Sequence, residues 1–196
     1  MSSITDADVS PSRITVNLEP MWQETNAYGS PLPPIKAVVQ VVNPHHLVFQ
    51  LLKQDQEDQF RLLVPDEKTS FDQSDFKVNI AQTARKFFGI SIHRKSTDEL
   101  LFDTTNGPIV MSEQYVEISV TVPSPFIYGF ASGHQSSMQR TFSYGKTTLY
   151  NRKGADGFHP FYMALEPANG NFHGVFWDNT HPLEVQFSPG PAFSFR

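Results

Sequence analysis

In "YVEISVTV", residues 115–122, Val116, Ile118, Val120 and Val122 alternate with Glu117, Ser119 and Thr121. A period of two puts the aliphatic side chains on one face of an extended strand and the polar ones on the other. The same short period recurs in "IKAVVQVV" (35–42), "LVFQLL" (47–52), "FRLLV" (60–64), "FKVNI" (76–80), "FGISIHR" (88–94), "ELLFD" (99–103), "FHPFYMAL" (158–165), "GVFW" (174–177), "LEVQF" (183–187) and "AFSF" (192–195). Eleven such runs predict an all-β chain folded as two packed antiparallel sheets, a β-sandwich. Fifteen prolines and the scarcity of 3.6-period stretches argue against a helical protein. "SDFKVNIAQTARKF" (74–87) is the one segment with a rival helical stripe, and its alternation of Val and Ile assigns it to strand plus turn. "KQDQEDQ", "RKSTDE" and "EPANGN" supply the Asp, Asn and Gly that tight connections require. No internal repeat is present, and the three prolines of "YGSPLPPIK" separate an N-terminal arm from the first long strand.

Totals narrow the function classes. A length of 196 residues suits one domain, and 39% hydrophobic residues, with 17 phenylalanines, are enough to build a core without covalent staples. Cysteine is absent, which excludes disulfides, thiolate zinc sites and cysteine nucleophiles. The net charge of -5 and the absence of any Lys/Arg run argue against nucleic acid and anionic membrane as partners; small neutral ligands fit better. The N-terminus carries no basic-then-apolar leader, and no run is long enough to span a membrane. No Asn-x-Ser/Thr sequon occurs.

Candidate chemistry is sparse. His134, His159, His173 and His181 show neither the i, i+2 spacing of a strand site nor the i, i+4 spacing of a helical one, and adjacent His45 and His46 point to opposite faces of a strand. No metal and no cofactor are expected. Asp156, Glu166, Asp178 and Glu184 are the acids available for a glycosidase pair, which needs two carboxylates about 5–9.5 Å apart on rigid supports. No local motif joins two of them, and turn or surface roles are expected. Ser136 and Ser137 near His134 lack a nucleophile elbow. Phe142, Tyr144, Tyr150, Phe158, Phe161 and Tyr162 offer flat faces for stacking sugar rings, with Asn151 and Arg152 adding hydrogen bonds; in so Phe-rich a chain the competing assignment is core.

The order of words along the chain carries more. "LLFDTTNGPIVMSEQYVEISVTVPSPFIYGF", then "TLYNRK", then "HPFYMALEPANGNFHGVFWDNTHPLEVQFSPGPAFSFR" resemble, in order and near spacing, the N-terminal β-sandwich of glycoside hydrolase family 31, in the branch of intestinal maltase-glucoamylase, sucrase-isomaltase and lysosomal α-glucosidase. The resemblance runs from about Tyr28 to Arg196. It implies residues 1–27 as an N-terminal arm, a candidate for disorder, and residues 28–196 as a galactose mutarotase-like sandwich. In the family such a sandwich precedes a (β/α)8 barrel that cleaves α-glucosidic bonds with two barrel aspartates. A barrel of roughly 250 residues has no room in this chain, so no catalytic residue is expected here.

The resemblance also implies a substrate-binding loop, comprising His134, Tyr150, Asn151, Arg152, Lys153 and Asp156, that serves a barrel supplied in cis or in trans. Two departures bear on it. The "YGLGEH"-like motif of the family reads "YGFASGH", losing its Glu, and Lys153 stands where the family has an aspartate; an ammonium donates hydrogen bonds where a carboxylate accepts them. The family setting implies an extracellular or endolysosomal compartment. The alternatives are a free-standing carbohydrate-binding or pseudoenzyme module and, by fold analogy alone, an aldose mutarotase using His134 or His173 with Glu184. The strand at Ala192–Phe195, or its neighbour, is expected to be an open edge, and Phe142, Tyr144 and Tyr150 an exposed apolar patch, so that the chain self-associates.

Overall fold

The structure is a computed structural model that describes residues 2–20, 29–30, 33–54, 69–83, 86–130, 138–150, 159–178 and 181–196. Alternating sequence becomes antiparallel sheet throughout. One four-stranded sheet has the order β1 (Ser2–Val9), β2 (Arg13–Pro20), β3 (Ile35–Asn43) and β4 (His46–Lys53). A second has the order β11 (Gln139–Arg140), β10 (Ile127–Gly129), β13 (Phe161–Leu165) and β14 (Phe172–Phe176). The large sheet runs β12 (Gly145–Leu149), β15 (Leu183–Ser188), β16 (Ala192–Phe195), β9 (Tyr115–Thr121), β7 (Leu100–Asp103), β6 (Phe88–Arg94) and β5 (Phe76–Gln82), with β8 (Val110–Ser112) paired to β9. The predicted antiparallel β-sandwich is what folds.

Register explains how the layers meet. Val120 opposes Phe193, Phe193 opposes Phe187, and Ile118 opposes Phe195. All point to one face of the large sheet and are buried. The two smaller sheets cover that face: the Phe49 ring of β4 meets Phe88 of β6, and Tyr162 of β13 meets Phe193 at 5.1 Å between centroids. Val16, Leu18, Ile35 and Val39 join the same core from the first sheet.

Several expectations need amendment. Residues 2–20 of the expected N-terminal arm form β1 and β2: Ile14, Val16 and Leu18 alternate with Thr15, Asn17 and Glu19, Val16 and Leu18 are buried in the common core, and β2 is hydrogen-bonded to β3. Four further strands, β8, β10, β11 and β12, are too short or too polar to show a period. Val116 does not share the buried face of Ile118; it is 41% exposed, where β9 runs past the large sheet and pairs with β8. The run at 60–64 and Phe158 lie outside the described residues. The expected open edge at Ala192–Phe195 is absent: β16 is an interior strand, bonded to β15 on one side and to β9 on the other. The free edges among the described strands are elsewhere, at β14 and β12 among others.

Candidate functional site

Strand pairing brings the strand ends that flank the candidate loop to one end of the sandwich. Gly129, the last residue of β10, opposes Tyr162, and Phe161, the first of β13, opposes Phe176, the last of β14. Leu149, the last of β12, opposes Leu183, the first of β15. The connectors 130–138, 150–160 and 177–182 therefore all leave from this end. Of the six residues assigned to the loop, Tyr150 is described and stands 43% exposed just past β12; His134, Asn151, Arg152, Lys153 and Asp156 lie outside the described residues. His159, Asp178 and His181 emerge at the same end, all exposed.

The take-off of the first connector is rigidly built, and the "YGF" motif is the means. Gly129 has φ +125°, and a Cβ there would lie 2.3 Å from the Phe161 carbonyl oxygen. Only glycine fits. Phe130 follows with φ +50°, and its ring lies inward among Tyr162, Phe187, Phe193 and Phe195 at centroid distances of 5.2–6.1 Å. The Phe130 N–H donates to the Phe161 carbonyl at 2.8 Å. Arg140 then donates from Nε to the Gly129 carbonyl at 2.7 Å and from a terminal guanidinium nitrogen to the Phe130 carbonyl. Its burial lowers the guanidinium's proton affinity from the ordinary arginine value.

The stacking candidates separate cleanly. Tyr162 is buried, and burial raises its hydroxyl well above the ordinary tyrosine range. Its hydroxyl has no hydrogen-bond partner among the described residues. Phe142 packs on Phe193 with near-parallel rings. Tyr162 is a core residue and Phe142 is half-buried against the core, the assignment that competes with a sugar platform, and Phe142 thereby leaves the expected exposed patch. Tyr144, at 84%, and Tyr150 are exposed. A shallow groove of about 230 Å³ between β11 and the start of β12, lined by Gln139, Arg140, Lys146 and Phe187 among others, is below the size of an enclosed ligand pocket.

Of the candidate acids, Glu166 and Glu184 are engaged by different partners, and Asp156 lies outside the described residues. Glu166 was expected on the surface or in a turn, yet it is fully buried: Arg94 Nε donates to its Oε2 at 3.0 Å, a second guanidinium nitrogen donates to Oε1, and Asn169 Nδ2 donates to Oε2 at 3.3 Å. Burial pushes its carboxyl up, but the hydrogen bond and charge of Arg94 outweigh that and hold it below the ordinary glutamate value. His173 Nδ1 lies 3.5 Å from Glu166 Oε1, and burial pushes the imidazole below its ordinary value despite that neighbour. Glu184 instead accepts from Lys146 Nζ at 2.9 Å and faces Arg196. His173 and Glu184 thus serve different partners, on β14 and β15, which does not favour the mutarotase pairing through His173, while His134 lies outside the described residues. No group of three metal-capable side chains occurs among the described residues.

Other motif words are architectural. Asp103 Oδ1 accepts the Thr105 N–H at 2.7 Å, and Thr104 Oγ1 accepts the Ile90 N–H at 3.0 Å, so "LLFDTTNG" is a strand end with its own turn. Arg196 Nε lies 3.2 Å from Glu117 Oε1, closing the C-terminal "PAFSFR" onto β9.

Known proteins agree with this architecture. No protein-family model matches the chain. Intestinal sucrase-isomaltase of Oryctolagus cuniculus is 34% identical over 116 residues, covering 56% of this chain and 6% of that protein. The Rattus norvegicus sucrase-isomaltase is 32% identical over 142 residues, 69% of this chain and 8% of the relative. The Bos taurus lysosomal α-glucosidase is 33% identical over 133 residues, 64% and 14% respectively. Among solved structures, a Flavobacterium johnsoniae glycoside hydrolase family 31 dextranase complexed with glucose superposes with a TM-score of 0.57 at 14% identity, over 99% of this chain and 26% of that one. The fold is thus an antiparallel β-sandwich of the kind that dextranase contains. The chain is a domain related to glycoside hydrolase family 31, and it spans only a small fraction of the length of these relatives.

Proposed function

We propose that this chain is the non-catalytic N-terminal β-sandwich of an α-glucosidase-like hydrolase, and that it shapes the sugar pocket of a barrel supplied in cis or in trans. The observation that carries this reading is the convergence of three connectors at one end of the sandwich, with the first anchored by Gly129, Phe130 and Arg140. A pocket wall must be held in place by elements it does not belong to, and the Arg140 clamp does that. The relatives' names, sucrase-isomaltase and lysosomal α-glucosidase, point to α-glucosides as the ligand class.

Catalysis is assigned elsewhere because two of the candidate acids are engaged within the fold, Glu166 by Arg94 and Glu184 by Lys146 and Arg196, rather than held free as a hydrolytic pair requires. The isolated chain is expected not to hydrolyse maltose, isomaltose or aryl α-glucosides. Turnover above the buffer blank that disappears in Asp156→Ala would overturn the reading. Sugar binding by the chain alone is expected to be weak, about millimolar, since an open loop end covers one face of a ring. Titration with maltose and acarbose followed by NMR checks this. Micromolar affinity with shifts centred on Tyr150 to Asp156 would favour the free-standing carbohydrate-binding module, for which exposed Tyr150 and Tyr144 are the supporting feature.

A further inference from the structure

The edge strand β14 combines two features that natural sheets usually keep apart. Its outward face is apolar: Phe172 and Phe176 are 50% and 53% exposed, and Phe161 and Met163 of β13 extend the same surface. Its outer rail is unpaired among the described strands, since β14 ends the order of its sheet. Edges are normally guarded by lysine, proline or a bulge, and "FHGVF" has none of these.

The direction of the free backbone groups follows from the hairpin. Glu166 N–H donates to the Asn171 carbonyl and Trp177 N–H to the Pro160 carbonyl, each at 2.8 Å. Hydrogen-bonded pairs alternate along an antiparallel ladder. Residues 171, 173, 175 and 177 therefore turn their N–H and C=O groups toward β13, and Phe172, Gly174 and Phe176 turn theirs outward.

The strand is also symmetric about its centre. It reads aromatic, x, Gly, x, aromatic in both directions, and Gly174 lets the Phe161 ring lie across it, since a Cβ there would come within 2.7 Å of Phe161 Cζ. Two copies placed antiparallel about Gly174 bring Gly174 opposite its own copy and Phe172 opposite Phe176. Those are the residues whose backbone groups face outward, so every opposed pair can exchange both hydrogen bonds. The same register puts the exposed aromatics of both copies on one face, where aromatic cross-strand pairs stabilise a ladder.

We infer that β14 is a self-association edge, at which a second copy of this chain pairs antiparallel about Gly174 to form an isologous dimer with one continuous sheet. The self-association expected from the C-terminal strand thus moves to a different strand, and this inference stands apart from the proposed pocket role.

Sedimentation of the full chain over a concentration series, with amide exchange by NMR on the same samples, tests it. The expected result is a concentration-dependent doubling of mass, accompanied by slowed exchange at Phe172, Gly174 and Phe176. The variant F172K/F176K, changed at two exposed positions, should remain monomeric with its melting transition retained, while Thr148→Lys on the β12 edge should dimerise like the parent. A chain that stays monomeric at every concentration would overturn the inference and leave the aromatic face for another domain, such as a barrel. So would a dimer that survives F172K/F176K or that protects amides elsewhere.

Discussion

Replacing Arg94 by methionine is expected to cost the fold about 3–5 kcal/mol, because it strands a buried carboxylate. Arg94 closes β6 in the large sheet, and Glu166 follows β13 in the facing layer, so their paired hydrogen bonds tie the two layers together. Glu166 is fully buried and Arg94 is 15% exposed at its side chain. The pair itself need not be worth that much: exchanging both partners for apolar residues of similar size is often neutral. The double variant R94M/E166M should therefore recover most of the loss. Urea denaturation of the parent, the single and the double variant measures this, and equal losses in the single and double variants would show that the stranded charge is not the cause.

The pH dependence of these proteins separates the same terms. Glu166 and His173 are both held below their ordinary values in the fold. A depressed folded value means that the unfolded chain takes up protons first, so the stability each group contributes is present above its unfolded value and is lost as pH falls. The His173 contribution should begin to fade below about pH 6.5 and that of Glu166 below about pH 4.3. In Arg94→Met the sign for Glu166 reverses. With its cation gone, burial raises the carboxyl, and a raised value contributes stability that is lost as pH rises. The stability gap between parent and variant should then widen from mildly acidic toward neutral pH.

How much of this was legible in the sequence depends on the range of the interaction. The period-two strands were, and even the missed β2 carries a clean Ile14, Val16, Leu18 alternation that a reading of the N-terminus as an arm passed over. Strands of two or three residues, such as β10 and β11, have no period to read; neighbours across the sheet define them. Glu166 illustrates the harder case. Its local setting before "PANGN" is that of a surface turn, and the guanidinium that makes burial tolerable sits 72 residues away in sequence. Nothing near Glu166 reports it. The connectors fall between these limits: the word order placed His134 and Tyr150 to Asp156 on loops, and strand pairing supplied the fact that the loops leave from one end. Motif words such as "LLFDTTNG" and "YGF" were recognisable as patterns, but their work is steric and hydrogen-bonded, visible once Asp103, Thr104 and Gly129 have partners.

Phe130 offers the second large effect, and an unusual ordering of substitutions. Its ring is fully buried, with centroids 5.2 Å from Tyr162, 5.6 Å from Phe193 and 5.7 Å from Phe195. Truncating a buried phenylalanine to alanine typically costs about 3–5 kcal/mol in lost transfer energy and cavity. Its backbone adds a second term, since φ +50° lies in the left-handed region, which costs a residue with a Cβ roughly 1–2 kcal/mol and glycine almost nothing. In the parent, ring packing and the two carbonyl bonds from Arg140 hold that conformation. Once the ring is removed, both variants lose its packing, but alanine keeps the backbone strain while glycine is relieved of it. Phe130→Gly should therefore be the more stable of the two truncations by about 1 kcal/mol, the reverse of the order usual within a strand. Urea midpoints of the parent, Phe130→Ala and Phe130→Gly provide the measurement. A loss below about 1 kcal/mol in Phe130→Ala would remove the ring from its role as the hub between the layers, and an alanine variant more stable than the glycine variant would mean that the left-handed turn after Gly129 is not what aims the first connector.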